Sequence, residues 1–267
     1  MISLDANLIE EPAWCFKAVR QDSLLARHNR YFQTQLADTP ALLATAHQLR
    51  YQVYCLERNF ENPDQHHRGL EYDAFDDRAV HGVLFHRPTD TAMGTVRMIL
   101  PQESISDSLP IAGILRETGI NLSDHLVVKS AVEVSRFAIS KEYRRRRSDH
   151  PAGGEVQFSS RRDTIREANL ACLSLIHFLL KQSVERDVHY WAAVMEPKLL
   201  RMLASMGICF KSIGSLVMHH GLRQPSYCHV PTMLHEVFQS HPEYWEVLTD
   251  GGALRFPNAT LRLCAAE

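Results

Sequence analysis

The chain has 267 residues, 45% hydrophobic and 22% charged, so it can bury one substantial core and is not a disordered polypeptide. A formal charge of -2 gives no global electrostatic footprint for nucleic acid or an anionic membrane, so an anionic partner has to be held by a local patch. The six cysteines, Cys15, Cys55, Cys172, Cys209, Cys228 and Cys264, are too widely spaced for a metal knuckle or redox pair and read as reduced thiols of a cytoplasmic protein.

In chain order, residues 1–38 read as an irregular leader, and residues 39–267 as one domain. Met1 to Trp14 has no apolar run, and the longest greasy stretch, Leu170 to Leu180, is too short for a membrane span. Asp38-Thr39-Pro40 starts a helix, with Thr39 as N-cap and Pro40 at the first position. That helix runs from Ala41 to Arg58, with Ala41, Leu42, Leu43, Ala46, Leu49 and Val53 spaced along one buried face, and Arg50 and Tyr54 aimed elsewhere. An exposed loop through Asn62-Pro63-Asp64 and His66 to Gly69 leads to an acidic cluster, Glu71 to Asp77. The strands Ala79 to His86 and Ala92 to Leu100 flank a turn at Pro88-Thr89-Asp90 and form a meander. Residues 101–126 read as a loop with one or two short helices.

Ala131 to Ile139 alternates as a strand and exits through a basic run, Lys141 to Arg147. Arg162 to Arg186 is the longest helix, with Ile165, Leu170, Leu173, Ile176, Phe178 and Leu179 on its stripe. A strand at His189 to Val194, a helix at Lys198 to Met206 stopped by Gly207, and strands at Cys209 to Met218 and Tyr227 to Val230 follow. This alternation predicts an α/β or α+β fold, a mixed central sheet with helices on both faces.

Three segments carry polar residues that the fold alone does not require: Glu71 to Asp76, Gly94-Thr95-Val96-Arg97, and Glu133-Val134-Ser135-Arg136-Phe137. In an extended strand, Glu133 and Ser135 share one face while Val134 and Arg136 share the other. Glu133 is then a candidate general base for an attacking amine, and Ser135 a donor to an acyl carbonyl beside a backbone N–H. Asp73 and Asp76 with Arg50, Arg97 and Arg136 have the composition of an ion-pair network able to hold a small zwitterion. The plainer readings are a structural ion pair within the strand and a solvated acidic loop. The paired histidines His66-His67 and His219-His220 lack ligand spacing, and no metal site is predicted. Trp191 to Met195 reads as ordinary core, with the lining of an acyl tunnel as the alternative.

The ordered set Arg50, Tyr54, Phe60, Glu71-x-Asp73-x-x-Asp76, Arg97 and Glu133-x-Ser135-Arg136-Phe137, from about residue 45 to 145, resembles the acyl-homoserine-lactone synthase family. The segment EVSRFAISKEYRRRR is more similar still to a sister group, the acyltransferases associated with the PEP-CTERM/exosortase system, themselves related to N-acyl amino acid synthases. The resemblance implies a GNAT-like fold, an acyl-acyl-carrier-protein donor and a small amine acceptor, with no tightly bound cofactor. It assigns the amine-side network to Arg50, Glu71, Asp73, Asp76, Arg97 and Arg136 with the aromatic walls Tyr54 and Phe60, base and acyl contact to Glu133 and Ser135, and carbonyl polarisation to the backbone N–H of Phe137. Lactone synthases usually carry a Phe and a Trp where this chain has Tyr54 and Phe60, so the resemblance does not fix S-adenosylmethionine as acceptor.

CoA-using GNAT enzymes cradle pyrophosphate in a glycine-rich loop after the central strand. Here Tyr143 to Ser148 has no glycine, and Arg144, Arg145, Arg146 and Arg147 suit the carboxylates and phosphopantetheine phosphate of an acyl carrier protein. Acyl-CoA is the alternative donor. The competing readings are a lactone synthase using S-adenosylmethionine and a non-catalytic GNAT-fold module that binds an acyl thioester. A nucleic-acid binder does not fit the near-neutral charge.

Overall fold

The computed structural model describes residues 23–102, 108–141 and 161–256. Helix α1 (Leu24–Tyr31), capped by the Ser23 hydroxyl, runs into strand β1 (Phe32–Leu36), so regular structure begins inside the stretch read as an irregular leader. Phe32 is 1% exposed and anchors this edge strand to the main core. Helix α2 (Pro40–Arg50) starts where Thr39 and Pro40 predict, with Thr39 Oγ1 accepting the Leu42 N–H at 3.3 Å. It passes into a π-helical turn, Tyr51–Glu57, in place of a continuous α-helix to Arg58.

Strand β2 (Ala79–His86) has the predicted bounds, and β3 (Thr91–Ile99) lies one residue earlier than expected. After the short helix α3 (Pro110–Arg116) comes β4 (Ala131–Ile139), again as predicted. The long helix α4 (Arg161–Glu185), β5 (Tyr190–Met195) and α5 (Pro197–Ala204) follow, and Gly207 ends the last of these with a left-handed φ of 80°. Beyond it lie β6 (Lys211–Ser212), β7 (Val217–Met218) and β8 (Leu222–His229). Two closing helices, α6 (Val230–Ser240) and α7 (Pro242–Thr249), were not anticipated, although each carries a proline in its first turn and apolar residues at helical spacing.

The sheet order is β1-β2-β3-β4-β5-β8-β6, with β7 paired to β8. Every pairing is antiparallel except β4 with β5. Helices cover both faces, as expected. Ala46 and Leu49 of α2 cluster with Val83 of β2, while Leu84, from the other face, joins the larger core with α4. Gly82 marks how closely α4 approaches, because a Cβ there would stand 2.6 Å from the Phe178 ring. Helix α4 is buried around most of its girth from Leu170 to Leu180, more than an amphipathic stripe requires, because α7 covers the side turned away from the sheet. Among the described residues, no helix is long and apolar enough to cross a membrane.

Candidate active site

Two irregularities of β4 shape the site. The parallel pairing of β4 and β5 covers Ala131↔Tyr190, Val132↔Trp191 and Glu133↔Ala192 and stops there, so Glu133 holds the last paired position. On the other edge, the register with β3 steps from Arg97↔Ser135 to Thr95↔Ala138, so that Arg136 and Phe137 together face Val96. This is a β-bulge, and Arg136 takes its left-handed backbone, φ 50°. The alternation expected of an unbroken strand therefore fails at Arg136. Rather than pointing away with Val134, Arg136 joins Arg97 and Ser135 in one network.

That network is assembled from five segments of the chain. Arg50, 0% exposed at the end of α2, is turned inward rather than away from the core; its Nε bonds the Glu71 carboxylate and its Nη1 donates to Asp76 Oδ1 at 2.6 Å. Arg97 of β3 donates through Nη1 to Asp73 and Asp76, both at 2.7 Å, and through Nε to Ser135 Oγ at 2.9 Å. Arg136 reaches Glu71 at 2.9 Å, Asp73 at 3.2 Å and Glu61 at 3.5 Å. The acidic loop is thus solvated only in part: Glu71 is 1% exposed and Asp76 is nearly buried, while Tyr72 and Asp77 face solvent. Burial alone would push the Glu71 carboxyl up, but hydrogen bonds from Arg50 and Arg136 outweigh it and hold the pKa at about 2. Asp76 likewise resists the effect of burial, held ionised by Arg50 and Arg97.

Tyr54, on the π-helical turn, lies under the Arg136 guanidinium at 5.1 Å, with the Phe60 ring 6.1 Å away. Phe60 in turn lies between Arg58 and Arg223, both paired to Glu196. Glu61, Arg58 and Arg223 were not picked out in the sequence; Glu61 adjoins Phe60, but nothing local signals that β8 delivers Arg223.

Glu133 is 5% exposed, and its Oε2 accepts the Ile111 N–H at 2.6 Å. Burial raises its pKa from the ordinary 4.5 to about 7, against the pull of the Ile111 N–H, Arg97, Arg136 and Arg78. A buried carboxyl poised near neutrality, with Arg97, Arg136 and Arg78 acting on it, can accept a proton. Trp191 and Ala193 belong to the main core, and the indole donates to Ser183 Oγ at 2.8 Å, as the ordinary-core reading expects. Arg144, Arg145, Arg146 and Arg147 lie outside the described residues.

Residues 49–150, which contain this network and both strand irregularities, match the family described as the acetyltransferase (GNAT) domain. That stretch is similar to a GNAT acetyltransferase domain. The fold is shared with solved structures at low identity. TofI, in a ternary complex with an inhibitor and MTA, superposes with a TM-score of 0.54 at 15% identity, covering 78% of this chain and 96% of its own. BjaI, a CoA-dependent acyl-homoserine lactone synthase with MTA, gives 0.52 at 16% identity, covering 82% and 88%. FeeM, an N-acyl amino acid synthase from uncultured soil microbes, gives 0.48 at 17% identity, covering 78% and 95%. No curated protein matches the sequence.

Proposed function

We propose that this protein is an N-acyltransferase that moves a fatty acyl group from the phosphopantetheine thioester of acyl carrier protein to the amine of an amino acid or similar small molecule, giving an N-acyl amino acid-type product. The observation that carries the reading is the buried Glu133 carboxyl, its pKa at about 7, at the last paired position of β4 and two residues from Ser135. In this reading the acceptor nitrogen attacks the thioester carbonyl carbon, and Glu133 takes the proton that nitrogen loses. Ser135 Oγ accepts from Arg97, so its own O–H remains to donate to the carbonyl oxygen, together with the Phe137 N–H in the bulge. As the C–N bond forms and the C–S bond breaks, the proton held by Glu133 passes to the departing thiolate. Arg50, Glu71, Asp73, Asp76, Arg97 and Arg136 shape the acceptor side, with Tyr54 and Phe60 as its aromatic wall.

Arg144 to Arg147 dock the carrier protein in this reading, and the protein works in the cytoplasm within the exosortase-associated group. Acyl-CoA is the second donor to test, because BjaI, which shares the fold, is CoA-dependent. The deciding assay incubates the protein with acyl-carrier thioester or acyl-CoA and a panel of amino acids or S-adenosylmethionine, with products read by mass spectrometry. An N-acyl amino acid supports the proposal. An acyl-homoserine lactone with release of methylthioadenosine assigns the lactone-synthase activity instead, and binding without turnover leaves a thioester-binding module.

A further inference from the structure

Two histidines that the proposed transfer does not use meet Asp76 beneath the acidic loop. His47 comes from α2, His81 from β2 and Asp76 from the short turn before β2, and one ligand-type atom from each lies within 4.8 Å of the other two. His81 is 3% exposed, yet neither of its ring nitrogens has a hydrogen-bond partner, and the buried Nε2 of His47 has none either. His81 Nε2 stands 3.5 Å from Asp76 Oδ1 without a hydrogen bond between them. A buried polar atom left unpaired costs about 1–3 kcal/mol, and an ion at this point would satisfy one nitrogen of each ring. Two ligands of one tetrahedral ion, each at about 2.0 Å from it, stand roughly 3.3 Å apart, close to the observed gap.

Charge sets the terms. Arg50 and Arg97 oppose a cation here, since both donate to Asp76 Oδ1 and Arg50 Nη2 is itself buried and unpaired. The ion-paired cluster nonetheless holds four carboxylates, Glu61, Glu71, Asp73 and Asp76, against three guanidiniums, Arg50, Arg97 and Arg136, with His220 a further partner 3.8 Å from Glu61. Because the two arginines weaken Asp76 as a ligand, the imidazoles have to carry the ion, which selects borderline d-block ions over magnesium or calcium.

We propose that His47, His81 and Asp76 form a binding site for a divalent transition-metal ion, Zn²⁺ above all, behind the carboxylate–guanidinium network. The ion ties α2 to β2 through a carboxylate that also holds Arg50 and Arg97, so it braces the wall of the acceptor pocket without touching the reacting atoms.

The test strips the full-length protein with a chelator, titrates it with Co²⁺, follows the visible absorption, and then displaces the cobalt with Zn²⁺. The expected result is about one ion per chain in a four-coordinate spectrum. His81→Asn and, separately, His47→Gln each weaken the cobalt complex by at least about a hundredfold, more than the loss of an outer-sphere partner does. His66→Asn and His219→Asn leave it unchanged. The proposal is overturned if the wild-type chain binds no stoichiometric metal, or if binding survives in His47→Gln, which alters a half-buried helix position even where His81→Asn fails to fold. Neither readout depends on acyl transfer, so failure of this site and failure of the acyltransferase reading are separately visible.

Discussion

Replacing Glu133 by Gln removes the proposed base while keeping an oxygen for the Ile111 N–H, and it separates catalysis from stability by pH. The carboxyl titrates at about 7 when folded, against an ordinary 4.5, because burial disfavours its charge. A folded-state pKa above the unfolded one means that folding retains a proton the unfolded chain has released. The group's contribution is therefore fully present below about 4.5 and is lost as pH rises to about 7. With 2.5 units between the two values, that loss is about 3 kcal/mol. Glu71 and Asp76 are depressed instead, so their contributions are lost below the ordinary carboxylate range and do not overlap this window. Urea unfolding of both proteins between pH 5 and 8 should show Glu133→Gln gaining on the wild type by up to about 3 kcal/mol as pH rises. Acyl transfer should fall by about 10²–10⁴-fold, and the wild-type rate should rise through an apparent pKa near 7 that the variant lacks. A pH-independent stability difference, or turnover in the variant equal to wild type, refutes the assignment of Glu133 as a buried, proton-accepting base.

Three further outcomes follow from the same geometry. Arg50→Ala leaves Glu71 and Asp76 each short of a buried donor and should cost about 3–5 kcal/mol in urea unfolding, whereas a loss below about 1 kcal/mol would mean that the network behaves like surface pairs. Reversing Arg145 and Arg146 to Glu should raise the apparent KM for acyl carrier protein with little change in kcat, and an unchanged KM rejects that docking site. Gly82→Ala should destabilise by about 1–3 kcal/mol, and pairing it with Phe178→Leu should recover part of the loss; an equal penalty with and without Phe178 would show that ring contact is not the cause.

The strands around the site were legible because their signals are local. Ala79–His86 and Ala131–Ile139 have bounds that apolar alternation and flanking turns define, and Thr39 with Pro40 marks the start of α2. What was not legible depends on residues distant in sequence. No periodicity shows that Arg50 turns inward, because an arginine on a buried face is explained only by Glu71 and Asp76, 21 and 26 residues further on. His47 and His81 lack any ligand spacing because their meeting is made by α2 packing on β2. The helices α6 and α7 had a readable pattern, whereas Leu24 to Leu36 is a short helix joined directly to an edge strand, with no turn residue between them to mark either.

The bulge at Arg136 links the readable sequence to the unreadable site. A non-glycine residue in the left-handed region costs about 1–2 kcal/mol, so the conformation persists only where something offsets it. Here the offset is visible: the Arg136 guanidinium bonds Glu71, Asp73 and Glu61 and covers the Tyr54 ring. Without the extra residue, Arg136 would follow Val134 to the other face, and Glu71, 1% exposed, would keep Arg50 as its only guanidinium among the described residues. The same shift places Phe137 outside the regular ladder and leaves Ser135 opposite Arg97, so one irregularity sets both the charges proposed for the acceptor side and the groups proposed to meet the acyl carbonyl. Glu133 precedes the bulge and keeps the register of the regular strand, which is why it points into the closed interior that raises its pKa. The acid–base role proposed on one side of the bulge and the charge recognition proposed on the other then follow from a single change in strand register.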